Sequence, residues 1–122
     1  MSTITLLNQY YANLKSPALL QDLLAEDFRF IGGDMTKPEP VVGKPVYLAI
    51  IGRLSQSFSK VEVRETFVDG ERAVVLAHYD WTFPKMGIVP GSVAEFWTIK
   101  QGKLQELTIF FDTKNFDRLN QG

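Results

Sequence analysis

The stretch SVAEFWTIKQGKLQELTIFFD, residues 92–112, decides the fold of this chain. Apolar and polar residues alternate on both sides of Gln101-Gly102, which predicts two antiparallel strands, Ser92 to Ile99 and Leu104 to Phe111, joined by a tight turn. Glutamine is a poor residue for the positive φ that a two-residue primed turn requires at its first position. We therefore predict a three-residue loop, residues 100–102, with its glycine left-handed at a bulge.

This loop determines which residues share a face, because side chains alternate along a strand. The predicted pairs are Val93 with Ile109, Glu95 with Leu107, and Trp97 with Gln105. One face then carries Val93, Glu95, Trp97, Leu107, Ile109 and Phe111. The other face is mixed and suits solvent or a partner subunit; it carries Ala94, Phe96, Thr98, Glu106, Thr108 and Phe110.

Glu95 is the single carboxyl group on the apolar face of this hairpin. A carboxyl group in apolar surroundings loses hydration in its charged form, so its pKa should rise unless a cation or several donors hold it. A raised pKa suits a proton donor near neutral pH. The alternative is a structural hydrogen bond or an ion pair with Arg53 or Arg72.

Two more strands are predicted upstream, from Val61 to Val68 and from Arg72 to Phe83, on either side of the hairpin signal Asp69-Gly70. A loop rich in proline and glycine, which contains Pro84, Gly87, Pro90 and Gly91, separates them from the hairpin of residues 92–112. The C-terminal half of the chain is therefore predicted to be a sheet of four long strands.

His78 and Asp80 stand two residues apart on the predicted strand from Arg72 to Phe83 and therefore share a face. A two-residue turn at Asp69-Gly70 places both in the interior, with Val61, Val63, Val74 and Leu76. The same turn places on the outer sheet face the residues Val75, Ala77, Tyr79, Trp81 and Phe83. A band so apolar predicts a homodimer through this face. A three-residue turn instead sends His78 and Asp80 outward.

The N-terminal half shows helical spacing. The predicted helices run from Ile4 to Leu14, from Pro17 through Leu24, and from Gly43 to Phe58. A short strand around Phe28 and Phe30 separates the second helix from the third. The predicted architecture is α+β, with three N-terminal helices packed on a bent, mostly antiparallel sheet.

Composition narrows the function. The chain has 122 residues, which predicts a single domain spanning 1–122, and its net charge of −1 argues against nucleic acid as a partner. It has no cysteine and one histidine, so neither a metal site nor an inorganic or nucleotide cofactor is implied. We find no signal for secretion or membrane spanning and expect a cytoplasmic protein.

The order of elements, the stretch Val42-Gly43-Lys44 before a helix, and the block from Glu95 to Leu104 running into Phe110-Phe111-Asp112 resemble the SnoaL-like members of the nuclear transport factor 2-like superfamily. The resemblance covers almost the whole chain. It implies a cone-shaped, cystatin-like fold whose open end holds a small apolar ligand, and a homodimer through the outer sheet face.

Ketosteroid isomerases belong to this superfamily, and the resemblance to them implies candidate roles. Tyr10 matches the place of their oxyanion tyrosine and Glu95 the place of their protonated acid. Their base aligns with Gly32, with Asp34 two residues later.

The segment His78-Tyr79-Asp80 resembles a relaxed version of a pair in limonene epoxide hydrolases, whose remaining aspartate aligns near Ile109. Full epoxide hydrolase machinery is therefore absent.

Two functions follow as expectations. The first is an enzyme that moves a proton on a small apolar carbonyl compound, by enolisation or cyclisation. Its candidate catalytic residues are Glu95, Tyr10, His78, Asp80 and Asp34. Its candidate substrate-binding residues are Trp97, Phe28, Phe30, Tyr47, Phe58, Leu107, Ile109, Phe111 and Asp112. The second is a module that binds an apolar ligand without chemistry; a protein-interaction domain is a further alternative.

Overall fold

The computed structural model describes residues 2–121 as a curved six-stranded sheet and its helices. The elements, in chain order, are α1 (Thr3–Ala12), a 3-10 helix (Pro17–Leu23), β1 (Leu24–Ile31), β2 (Val41–Val42), α2 (Lys44–Leu54), a 3-10 turn (Ser55–Ser57), β3 (Phe58–Asp69), β4 (Arg72–Phe83), β5 (Gly87–Lys100), β6 (Lys103–Phe110) and α3 (Thr113–Gln121). The strand order is β2-β1-β6-β5-β4-β3, and β1 runs parallel to β6 while the other neighbours are antiparallel. The α+β prediction is confirmed.

The first helix begins at Thr3, one residue before the predicted Ile4, and the second element begins at the predicted Pro17. The Ser2 hydroxyl caps α1 by accepting from the Thr5 amide at 3.2 Å, and Pro17 opens the second element, which is a 3-10 helix. The prediction that the third helix continues to Phe58 is wrong, because α2 ends at Leu54 and Phe58 starts β3. Helical spacing alone cannot separate a buried helix end from the first residue of an adjoining strand.

The turn between β5 and β6 differs from the predicted three-residue loop. Lys100 pairs with Lys103, and Gln101 and Gly102 both have positive φ, 53° and 75°, as a two-residue primed turn requires. A bulge then leaves Gln105 without a partner, so Glu95 pairs with Ile109. Relative to the predicted pairs, the two-residue turn and the bulge together shift each partner by two residues. Side-chain direction repeats every two residues, so the predicted faces are correct although the predicted pairs are wrong.

A bulge also decides the faces of β3 and β4. Between Arg64 and the turn that leads to β4, Phe67 pairs with Val74 on the outer face. On the other side of Arg64 the pairing is shifted by one residue, so that Val61 lies opposite Tyr79. The interior face of β4 carries Ala73, Val75, Ala77, Tyr79, Trp81 and Phe83, all of them buried.

The residues predicted to form an apolar band on the outer sheet face are therefore wrong. Its members lie inside the molecule, whereas His78 and Asp80 face outward. The exposed aromatic residues of the outer face are instead Phe67, Phe96 and Phe110.

The predicted loop between β4 and β5 is also shorter than expected, because β5 already begins at Gly87. Gly91 lies inside β5, and a Cβ there would come within 3.1 Å of the Trp81 indole, so the bare backbone lets that ring lie flat on the sheet.

A C-terminal helix, α3, was not predicted. Asp112 caps it: the Asn115 amide donates to Oδ1 at 3.1 Å and the Asn115 side chain donates to Oδ2 at 2.7 Å. These hydrogen bonds, the backbone one first, lower the pKa of Asp112. Within residues 2–121, no helix is long and apolar enough to cross a bilayer.

Candidate functional site

A cavity of about 30 Å³ lies between the inner sheet face and the helices. That volume suffices for a single water molecule. Its lining consists of Tyr10, Phe30, Tyr47, Ile50, Ile51, Leu54, Phe58, Tyr79, Trp81, Val93, Glu95, Leu107, Ile109 and Phe111. The chemistry available at this site is therefore one carboxyl group and three tyrosine hydroxyls in an apolar surround.

Glu95 lies on β5 between Val75 of β4 and Ile109 of β6, and 3% of it is exposed. Burial raises its pKa to about 7; hydrogen bonds from Tyr79 and Tyr11 oppose this rise by stabilising the carboxylate. The Tyr79 hydroxyl donates to Oε1 at 2.8 Å. Within residues 2–121 no salt bridge involves Glu95, so the alternative of an ion pair with Arg53 or Arg72 is wrong.

The two tyrosines that contact Glu95 were not predicted as site residues. Tyr79 was assigned outward because the bulge at Arg64 leaves no mark in the sequence. Tyr11 follows Tyr10 on α1. Its hydroxyl accepts from Trp97 Nε1 at 3.0 Å and stabilises the charged form of Glu95, which opposes the rise of the Glu95 pKa. The indole therefore orients the tyrosine that holds the carboxyl group.

Tyr10 lines the cavity as predicted, but it does not hydrogen-bond to Glu95. Its hydroxyl lies 2.5 Å from that of Tyr47 on α2. Burial raises the pKa of both tyrosines, so both stay protonated at neutral pH. One hydroxyl donates to the other, which leaves the hydrogen of the accepting hydroxyl free for a ligand.

The remaining candidate catalytic residues lie outside the cavity. His78 is on the outer face, with Nδ1 3.4 Å from Ser92 Oγ and Nε2 3.7 Å from Asp80 Oδ1. Asp34 lies in the loop after β1, where its carboxylate accepts from the side chain and the amide of Thr36 at 2.7 and 2.9 Å; these bonds lower its pKa. The structure thus does not bring a second carboxylate to Glu95.

The candidate substrate-binding residues divide into two groups. Those that line the cavity are Phe30, Tyr47, Phe58, Leu107, Ile109 and Phe111. Phe28 and Trp97 are buried core residues behind it: the Trp97 ring meets Tyr10 edge-on at 4.6 Å, and Phe28 packs on Tyr47 at 4.6 Å. Asp112 belongs to the cap of α3. None of these three residues lines the interior cavity.

A curved antiparallel sheet that encloses a carboxyl group among aromatic residues defines a cone-type α+β domain. Residues 8–107 match the family model described as SnoaL-like domain, and the chain belongs to that family. No curated protein matches it. The predicted membership of the SnoaL-like family is thereby confirmed.

Solved structures agree on the fold. A nuclear transport factor 2-like protein of unknown function from Burkholderia pseudomallei has 19% sequence identity and a TM-score of 0.82, with 98% of this chain and 97% of that chain covered. A proposed SnoaL-like polyketide cyclase from a Jannaschia species has 17% identity and a TM-score of 0.81, with 98% and 91% covered. TerC, co-crystallised with polyporic acid, has 18% identity and a TM-score of 0.80, with 98% of each chain covered. At these identities the likeness is one of fold.

Proposed function

We propose that this chain binds a small, largely apolar carbonyl compound inside the cone and moves a proton on it through Glu95. The observation that carries the proposal is a fully enclosed carboxyl group whose pKa is about 7, held by tyrosine hydroxyls in an apolar cavity. At neutral pH such a group is divided between acid and base, the condition under which proton transfer in either direction is efficient.

Glu95 is the one carboxyl group among the cavity-lining residues, so the same group takes the proton and returns it. Its carboxylate removes a proton from the carbon next to the substrate carbonyl, and the C–H electron pair becomes an enolate. The free hydroxyl hydrogen of the Tyr10–Tyr47 pair donates to the enolate oxygen. In a substrate with a carbon–carbon double bond at the β,γ position, the enolate is conjugated with that bond. Protonated Glu95 then returns the proton to the γ-carbon, and the double bond moves into conjugation with the carbonyl, which isomerises the substrate. In a cyclisation, it protonates the alkoxide formed when the enolate carbon attacks a second carbonyl.

Two solved structures of the same fold support the proposal that this fold binds an organic ligand. TerC was crystallised with polyporic acid, and the Jannaschia protein is described as a proposed polyketide cyclase. For the present chain, the apolar lining and the single acid favour a neutral carbonyl compound over an anion, because an anionic ligand would be repelled by ionised Glu95.

Deuterium exchange tests the proposal without knowledge of the natural substrate. The protein is expected to accelerate the exchange of the α-hydrogens of 2-tetralone in D₂O, measured by proton NMR at pH 7. Glu95→Gln should slow the catalysed exchange by a factor of about 100 or more, the usual contribution of a general acid or base. Asp80→Asn, on the outer face, is the matched control and should leave the rate unchanged.

Equal catalysed rates for the parent and Glu95→Gln would remove Glu95 from the chemistry. If the parent protein binds 2-tetralone but does not accelerate exchange, the chain is a binding module and the enzyme proposal is wrong.

We further propose that a second copy of this chain covers the outer sheet face. Phe67, Phe96 and Phe110 are 59%, 44% and 51% exposed there. Phe67 and Phe96 line a groove of about 400 Å³, and the Phe110 ring packs edge-on against Phe96. The groove lining carries both Arg72 and Glu106, so the face offers charges of both signs to a symmetric partner.

Sedimentation equilibrium is expected to give twice the 13.8 kDa mass of the chain. Phe96→Glu should give the monomer mass, whereas Leu19→Glu, at an exposed position on the 3-10 helix, should not change the mass. A parent protein that sediments as a monomer would contradict this proposal.

A further inference from the structure

The interior cavity has a rim of apolar side chains from three elements. Ile50 and Leu54 of α2 form one side, and Trp81 of β4 and Phe111 after β6 form the other. The Phe116 ring, on α3, lies on this rim: its centroid is 5.1 Å from that of Trp81 and 5.4 Å from that of Phe111, edge-on in both cases. Phe116 thus contacts the rim without lining the cavity itself.

Two surface grooves meet at Phe116. A groove of about 190 Å³ shares Trp81 and Phe111 with the interior cavity, and a groove of about 240 Å³ shares Ile50 and Leu54 with it. Phe116 lines both grooves. Phe116 is therefore the residue common to both grooves, and each groove shares two wall residues with the interior cavity.

Few contacts hold α3 against the rest of the protein. Among the described residues, its hydrogen bonds outside the helix reach the Phe111 carbonyl and the Asp112 cap, both at its own N-terminal junction. Its other anchors are Phe116 and Leu119, which are partly buried against the core. A terminal helix held by two apolar side chains and one cap opens at low free-energy cost.

We propose that Phe116 is the gate of the site and sets the size of ligand admitted: the ligand enters as α3 lifts this ring off the rim, and it occupies the interior cavity together with the adjoining grooves. Organic ligands usually occupy pockets of about 300–1,000 Å³, which the closed interior cannot supply. This inference deepens the proposed function and rests on it for the identity of the site as a ligand pocket.

The neutral fluorescent probe N-phenyl-1-naphthylamine tests the gate, because its emission rises on transfer to an apolar site. Phe116→Ala is expected to bind the probe about tenfold more tightly than the parent chain, since a larger fraction of molecules is open. Lys114→Ala, on the exposed side of the same helix, is the matched control and should bind like the parent. Equal affinities for parent and Phe116→Ala would overturn the gate.

Thiol labelling gives a second readout that is independent of any ligand. The chain contains no cysteine, so Ile109→Cys places a single thiol in the cavity wall. Its reaction with 5,5′-dithiobis(2-nitrobenzoic acid) is expected to accelerate about tenfold when Phe116→Ala is added, in proportion to the open fraction. No acceleration, with thermal unfolding showing that both proteins are folded, would contradict the proposal. The deuterium exchange of 2-tetralone tests proton transfer by Glu95 separately. The proposed gate and the proposed function can therefore fail independently.

Discussion

Glu95→Gln is expected to remove about 3 kcal/mol of pH dependence from the free energy of unfolding between pH 4.5 and pH 7. The pKa of Glu95 rises from 4.5 to about 7 on burial. Between these values the folded protein keeps a proton that the unfolded chain has released, so unfolding releases a proton and rising pH favours it. Each pH unit in this window is worth about 1.4 kcal/mol.

The sign of this effect is specific. Stability due to protonated Glu95 is fully present below pH 4.5, declines as pH rises, and is lost above about pH 7, where the group is ionised in both states. Urea unfolding of the parent and of Glu95→Gln at several pH values measures the difference. Glu65→Gln, at an exposed position on β3, is the control and should follow the parent. Parallel curves for the parent and Glu95→Gln would show that the carboxyl group is not buried as described.

Trp97→Ala is expected to lower the free energy of unfolding by about 4 kcal/mol, within the range for large aromatic residues in cores. Trp97 is 2% exposed, and it packs edge-on against Tyr10 on α1. Its indole also donates to Tyr11, so the substitution leaves a cavity and removes the partner that orients a tyrosine on Glu95.

Urea unfolding at fixed pH measures this loss, with Ile88→Ala as the control on the same strand. Ile88 is 61% exposed and should cost about 0.5 kcal/mol or less. A cost below about 1 kcal/mol for Trp97→Ala would contradict the packing of α1 on the sheet.

Local signals in the sequence were sufficient for the class of fold. Alternation around Gln101-Gly102 correctly predicts the faces of β5 and β6, and the proline and glycine signals correctly predict where the 3-10 helix and α2 begin. The predicted pairs fail by an even number of residues, and side-chain direction repeats every two residues, so the error does not change a face.

Non-local pairing explains what the sequence could not predict. The bulge at Arg64 shifts the register of β3 against β4 by one residue, an odd number, so the faces of that pair exchange. Pairing with β5 decides the outcome, because Val75 lies opposite Glu95 in the interior. The helix α3 escaped prediction because Phe116 and Leu119 are its only apolar residues among 113–119.

The same contrast holds for the site. The sequence of one hairpin was enough to predict Glu95 as a buried acid. A lone carboxyl group on an apolar face has a raised pKa whenever other elements cover that face. The hydroxyls that hold it come from α1 and β4, which are remote in sequence. Their identity depends on how three elements pack, and residue spacing does not specify that packing.

Carbon-13 NMR titration of the Glu95 carboxyl group, assigned by comparison with Glu95→Gln, tests the account most directly. The account predicts a pKa of about 7, raised by burial and limited by the hydroxyls of Tyr79 and Tyr11. A value near 4.5, that of a solvated glutamate, would contradict both the enclosed site and the proton transfer built on it.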